Sequence, residues 1–202
     1  MSVAAAVKGF VDALPTGSFV DATDVPGEGA ARDLALSRMA ATRPDVMPVR
    51  KGLYWKAPMS RWGPVGPDPV EVAMRILAGR GAGPTGWGAS NYLGLSTQVP
   101  AKADLVAVGR VPKGLPASIR VHSRSNLRRL HLTPVEVATL EVLRNMPRYT
   151  EADLGATAIR LADLVRSGHI RPAALDDVVR HDRHAGLRER WSTLKDSLLA
   201  AA

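Results

Sequence analysis

Residues 30–56, AARDLALSRMAATRPDVMPVRKGLYWK, constrain this chain more than any other stretch. A helix-forming run with a polar, basic outer face leads into two short β-prone segments. Arg50, Lys51 and Gly52 stand at their junction. Within the run, Ala35, Leu36 and Met39 share one helical face, while Asp33, Ser37 and Ala40/Ala41 point elsewhere and Arg38 lies on the flank. By the same spacing Arg32 falls near the apolar face. Arg43-Pro44-Asp45 ends the helix, because the residue before a proline avoids the α region. Val46, Met47 and Val49 then predict a strand, with Leu53, Tyr54 and Trp55 as its partner.

The residues upstream complete a pattern. Val3, Val7, Phe10/Val11 and Leu14 recur at helical spacing, which predicts a first helix over 3–14, stopped by Pro15-Thr16-Gly17. Ser18-Phe19-Val20 is β-prone. The Asp21 carboxylate can accept an orphan backbone N–H and cap a brief helix over 22–25. Pro26-Gly27 turns the chain into the helix at 29–42. The order helix, strand, short helix, turn, helix, hairpin predicts a winged helix–turn–helix. Its outer helix face would enter the major groove, with Asp33 and Ser37 near bases. Arg38, Arg50, Lys51 and Lys56 would hold phosphates, and a glycine at the wing tip permits the tight turn.

Residues 57–69 hold four prolines and two glycines and are expected to form no regular element. They divide the chain into a DNA-binding domain over 1–60 and a second domain over 61–202. The second domain predicts a helix at 69–79, a short one at 89–95, strands at 104–109 and 118–123, and a third strand at 126–132. Thr133-Pro134-Val135-Glu136 has the form of a capping box. Helices are expected from there to Asn145, at 150–167, at 173–181 and at 185–200. The fold class expected is α/β of the α+β kind, a winged helix followed by a mixed domain.

Composition narrows the function. The 202 residues are 46% hydrophobic, enough to bury a core, and include no cysteine. Disulfides, thiolate metal sites and thiol nucleophiles are therefore excluded. The net charge of +8 is uneven. Residues 71–132 hold 9 Lys/Arg against 2 Asp/Glu, whereas 1–70 hold 8 against 7 and 133–202 hold 10 against 10. Within the basic third, Arg120, Arg124, Arg128 and Arg129 suggest a second contact surface, for DNA backbone or an acidic partner. The alternative is a solvated strand edge guarded by charge.

No catalytic constellation emerges. The glycine-rich run 79–88 lacks the GxxxxGK[ST] order and follows no strand, so a structural loop is expected. His181 and His184 have metal-compatible spacing but no third ligand arranged with them, so no metal is expected. No Ser–His–Asp order is recognisable. The chain is read as a non-enzyme without cofactor. It has no apolar run of membrane-spanning length and a poor signal sequence, so a cytoplasmic location is expected.

ALSRM (35–39), VRKGLYWK (49–56), SRWG (60–63) and NYLGLSTQVP (91–100) together resemble the AbiE-type antitoxins, the transcription-regulator half of type IV toxin–antitoxin pairs. The resemblance spans roughly residues 5–200 and is firmest over 30–130. It implies a winged helix that binds inverted repeats in its own promoter and represses the operon. It also implies a C-terminal domain that antagonises a nucleotidyltransferase-like toxin, with or without a stable complex. By matching position, the recognition helix falls on 30–42 and the wing on Arg50, Lys51 and Lys56. Arg32 stands where family members usually carry an apolar residue. A plain winged-helix regulator, whose second domain senses a ligand or oligomerises, remains the alternative.

Overall fold

The computed structural model describes residues 2–201. The chain is of mixed α+β class and divides into two compact units between Val72 and Ala73.

In the first unit, α1 (Val3–Ala13) is followed by β1 (Ser18–Asp21) and a 3-10 turn (Ala22–Asp24). Next come α2 (Gly29–Thr42), β2 (Val46–Arg50) and β3 (Leu53–Lys56). The strands form an antiparallel sheet in the order β1-β3-β2. Asp21 caps the 3-10 turn as its sequence predicts, accepting from Thr23 N at 3.0 Å. Leu36 of α2 is fully buried against Val7, Val11, Val20, Val25 and Val46, with Ala35 and Met39 partly buried beside it. Each large aliphatic side chain sealed this way contributes roughly 1.5–3 kcal/mol. Pro48 is tolerated because β2 is an edge strand. Arg43 clips α1 to the start of β2. Its guanidinium donates to Asp12 at 2.5 Å and to Asp45 at 3.0 and 2.6 Å. Hydrogen bonds from Lys8 and Arg43 bring the Asp12 carboxyl down to about 2.

The proline-rich stretch is more ordered than its composition predicts. Two minimal strands, β4 (Met59–Ser60) and β5 (Gly63–Pro64), pair as a hairpin. Trp55 Nε1 donates to the Val65 carbonyl at 2.9 Å, and Ala57 N donates to Asp45 O at 2.7 Å. These bonds tie residues 57–65 to the first unit, which therefore extends beyond residue 60.

Helix α3 (Pro69–Ile76) leads into the second unit. There β6 (Gly83–Pro84), β7 (Ala103–Val108) and β8 (Ile119–Arg124) form a small sheet, β6 antiparallel and β8 parallel to β7. Helix α4 (Gly86–Tyr92) lies between β6 and β7 in sequence, and the four remaining helices follow the sheet: α5 (Pro134–Asn145), α6 (Leu154–Arg166), α7 (Pro172–Arg180) and α8 (Ala185–Ala200). Residues 126–132 are not the third strand. Asn126 accepts from Arg128 N at 3.1 Å and starts a 3-10 helix over Leu127–His131. The third strand is β6, two residues long and too short to show any alternation.

Helix α5 is the centre of this unit. The predicted capping box is formed: Thr133 accepts from Glu136 N, and Glu136 accepts from Thr133 N. Residues 136–143 are all buried, so the helix is enclosed on every side. The glycine-rich loop is explained by packing against this core. A Cβ on Gly81 would lie 2.0 Å from the Arg129 carbonyl, and one on Gly83 would lie 2.7 Å from Val137 Cβ. Backbone approach, not phosphate binding, accounts for glycine at both positions.

Candidate nucleic-acid interface

Helix α2 and the β2–β3 hairpin carry the predicted DNA contacts. Because Leu36, Ala35 and Met39 face inward, Asp33, Ser37 and Arg38 are exposed on the outer face. Arg32 is half-buried, as its spacing predicts, and its Nε and Nη2 donate to Asp33 Oδ1 at 3.0 and 2.9 Å. A base donor reaching the Asp33 carboxylate would therefore share it with Arg32. Ser37 makes no such bond among the described residues, which leaves its hydroxyl free.

At the hairpin tip, Arg50 and Leu53 are cross-strand partners, and Lys51-Gly52 makes the turn. Gly52 has φ +78°, a left-handed conformation that a side chain would strain. The Gly52 carbonyl accepts from Ala22 N at 2.8 Å and fixes the tip to the 3-10 turn. Arg50 and Lys51 are exposed and enter no ion pair among the described residues. Two uncommitted cations on a braced tip can neutralise phosphates without first breaking a protein contact.

Lys56 does not belong to this surface. It lies directly across from Val46, which is buried, and so points to the core face of the sheet. Only 7% exposed, it donates through Nζ to the carbonyls of Val11 and Asp12 at 2.9 Å each, and to Leu14 O at 2.5 Å. A cation here satisfies the orphan carbonyls at the C-terminus of α1 and complements its dipole. Lys56→Met is expected to destabilise the first unit by about 1–3 kcal/mol, because the carbonyls lose their donor. The salt slope of duplex binding should stay at the wild-type value. Urea denaturation and a salt titration check both, and the reverse outcome would return Lys56 to the DNA surface.

Of the four arginines expected to form a second basic surface, Arg129 is buried, while Arg120, Arg124 and Arg128 keep some exposure, each beside a carboxylate. Arg129 is fully buried and donates through Nη2 to Glu141 Oε1 at 2.7 Å. Arg124 donates to both oxygens of Glu141, at 3.1 and 2.6 Å, and Thr85 Oγ1 adds a bond at 2.9 Å. Arg128 is exposed but paired with Asp177 at 3.0 Å, and Arg120 lies 3.7 Å from Asp104. Three cations of the basic third, Arg124, Arg128 and Arg129, thus pair with two acids contributed from the C-terminal helices, Glu141 and Asp177. A local count of charge along the chain cannot see that pairing.

Burial works against the Glu141 charge, but the hydrogen bond from Arg124 and the charges of Arg129 and Arg124 outweigh it. The carboxyl is brought down to about 2. Glu136 is lowered as well, its burial outweighed by Arg171 and by backbone donors of Thr133 and Arg171. A depressed carboxyl adds stability that is complete above its unfolded value, here near 4.5 for Glu141, and is lost as pH falls toward about 2. For Glu141 this is on the order of 3 kcal/mol. Urea midpoints measured from pH 6 down to about 3 should fall in wild type, and fall less steeply in Glu141→Gln.

Two residues outside the predicted set are exposed in the first unit. Trp62, at the turn of the β4–β5 hairpin, is 84% exposed, and the Arg61 guanidinium lies 4.8 Å from its ring centroid. The sequence signal was a tryptophan flanked by Arg61 and Gly63 in a segment with no core to bury it.

Among the described residues no cluster of three or more His, Asp or Glu side chains could hold a metal ion, and no helix is long and apolar enough to cross a membrane. His184 instead caps α8, its Nδ1 accepting from Leu187 N at 3.1 Å. His181 Nδ1 lies 2.8 Å from the Asp177 carbonyl.

No established protein family matches the sequence, and no curated protein matches it. Among solved structures, the crystal structure of the RV2827C protein from Mycobacterium tuberculosis aligns with 98% of this chain and 81% of its own. The identity is 18% and the TM-score 0.49.

Proposed function

We propose that the first unit is a winged helix–turn–helix that reads duplex DNA, with α2 in the major groove and the β2–β3 hairpin as its wing. The observation that carries this reading is the uncommitted cation pair Arg50-Lys51 on a braced hairpin tip, together with the exposed Ser37 and Arg38 of α2. Arg38, Arg50 and Lys51 fix register on phosphates, while Ser37, with Asp33 beside it, contacts base edges. Arg61 and Trp62 add an exposed cationic and aromatic tip that suits a nucleic-acid backbone.

The resemblance to AbiE-type antitoxins gives this activity its setting. In it the protein represses its own promoter through inverted repeats and counteracts a nucleotidyltransferase-like toxin as the antitoxin of a type IV pair, acting in the cytoplasm. A reporter fused to the protein's own upstream region tests the repressor role. Wild-type protein should silence it, and Arg50→Ala with Lys51→Ala should restore expression. Equal silencing by both proteins would overturn the assignment. Co-expression with the nucleotidyltransferase-like product of a neighbouring gene tests the antitoxin role, where rescue of growth is the expected outcome.

A further inference from the structure

The second unit holds a cleft of about 860 Å³, walled by the end of β8, the turn that follows it, Arg144 of α5, and the loop joining α7 to α8. Five guanidinium groups line it: Arg124, Arg128, Arg129, Arg144 and Arg183. The acids facing or pairing with them are Asp182 in the wall, Glu141 beneath Arg124 and Arg129, and Asp177 against Arg128. Five cations against three carboxylates leave a surplus of two positive charges, before His181 and His184 are considered.

The donors are also in surplus. Arg129 Nε and Nη1 and Arg144 Nε are buried and have no hydrogen-bond partner among the described residues. Shielded guanidinium N–H groups left this way cost free energy comparable to their desolvation, and native structures rarely leave them so. Arg144 keeps its orientation through Nη2, which holds both oxygens of Asp182 at 2.7 Å. Asp182 in turn accepts from His184 N at 2.9 Å. Arg183, exposed at the mouth, enters no ion pair among the described residues. The wall contains no Phe, Tyr or Trp ring on which a base could stack, and Leu127 is its one aliphatic side chain.

We propose that this cleft binds a phosphoryl dianion, the terminal phosphate of a monoester. A guanidinium cluster with forked donors matches tetrahedral phosphate oxygens, and two surplus charges match a dianion better than a carboxylate or a backbone diester. Recognition rests on the phosphate. The cleft thus gives the second unit a small-anion site separate from the duplex-binding role of the first.

Calorimetric titration of the full chain with sodium phosphate, against sodium chloride at matched ionic strength, tests this. Ribose 5-phosphate, and one single-stranded oligonucleotide carrying either a 5′-phosphate or a 5′-hydroxyl, distinguish a free metabolite from a nucleic-acid end. Saturable binding of phosphate beyond the chloride control is expected. Arg183→Ala and Arg128→Ala should each weaken it about tenfold, a loss of one charge-assisted contact. Both residues are exposed, so thermal unfolding without ligand should match wild type and separate lost binding from lost fold. Stronger binding of ribose 5-phosphate assigns the site to small monoesters, and stronger binding of the 5′-phosphorylated strand assigns it to nucleic-acid ends. No heat beyond chloride, or unchanged affinity in both variants, would overturn the proposal.

Discussion

Glu141→Ala is expected to destabilise the second unit by about 3–5 kcal/mol. The substitution removes one carboxylate but strands three donors. Arg129 stays fully buried with its charge uncompensated, Arg124 loses its two bonds to the carboxylate, and Thr85 Oγ1 loses its acceptor. A domain has only about 5–15 kcal/mol of stability in total, so this is a large fraction of it. The urea midpoint should fall sharply. Amide exchange in α5 should accelerate, while exchange in α1 and α2 should not. The cost lies in the stranded arginine and not in the lost attraction. Replacing the pair together, Glu141→Leu with Arg129→Met, should therefore recover much of the loss. A drop below about 1 kcal/mol in Glu141→Ala would mean that Arg129 finds water or another acceptor, and the buried network would lose its structural role.

The second large effect belongs to the wing. Arg50→Ala with Lys51→Ala should weaken binding to every duplex, roughly 10- to 100-fold at moderate salt, and lower the salt slope by about two. Fold stability should be unchanged, since neither side chain enters an ion pair among the described residues. Ser37→Ala should behave differently. It should leave the salt slope intact and narrow the gap between native and scrambled sequence by about 1–3 kcal/mol, the signature of a base contact. Fluorescence anisotropy over a salt series reads both variants.

The elements of the first unit are legible because their signals are local. The Ala35–Leu36–Met39 face, the Asp21 cap and the Lys51-Gly52 turn each depend on neighbours within a few residues, and the structure has all three. The same holds for the Thr133 capping box. What failed was non-local. Lys56 looked like a wing cation because its acceptors lie more than forty residues away, in the last turn of α1. Strand alternation contained the warning, since Lys56 shares a face with Tyr54, which packs on the core. Arg129 and Arg124 looked like a surface because Glu141 lies in another element. There too a signal existed: a glutamate among Ala138, Leu140, Val142 and Leu143 in a helix apolar on nearly every side requires a buried cation. The ends of β4, β5 and β6 carried no signal, because two-residue strands have no period. The parallel pairing of β7 and β8 was equally hidden, because their connection over 109–118 contains no helix to announce a crossover.

In the proposed function the exposed face of α2 and the Arg50-Lys51 tip read a particular duplex. Its most direct test is the affinity of the purified full chain for its own upstream region, set against a scrambled duplex of equal length and composition, across a salt series. Roughly a thousandfold preference for the native sequence is expected, persisting as both affinities fall with salt. Weak, equal and steeply salt-dependent binding to both duplexes would contradict it, leaving a basic surface that attracts polyanions without reading them.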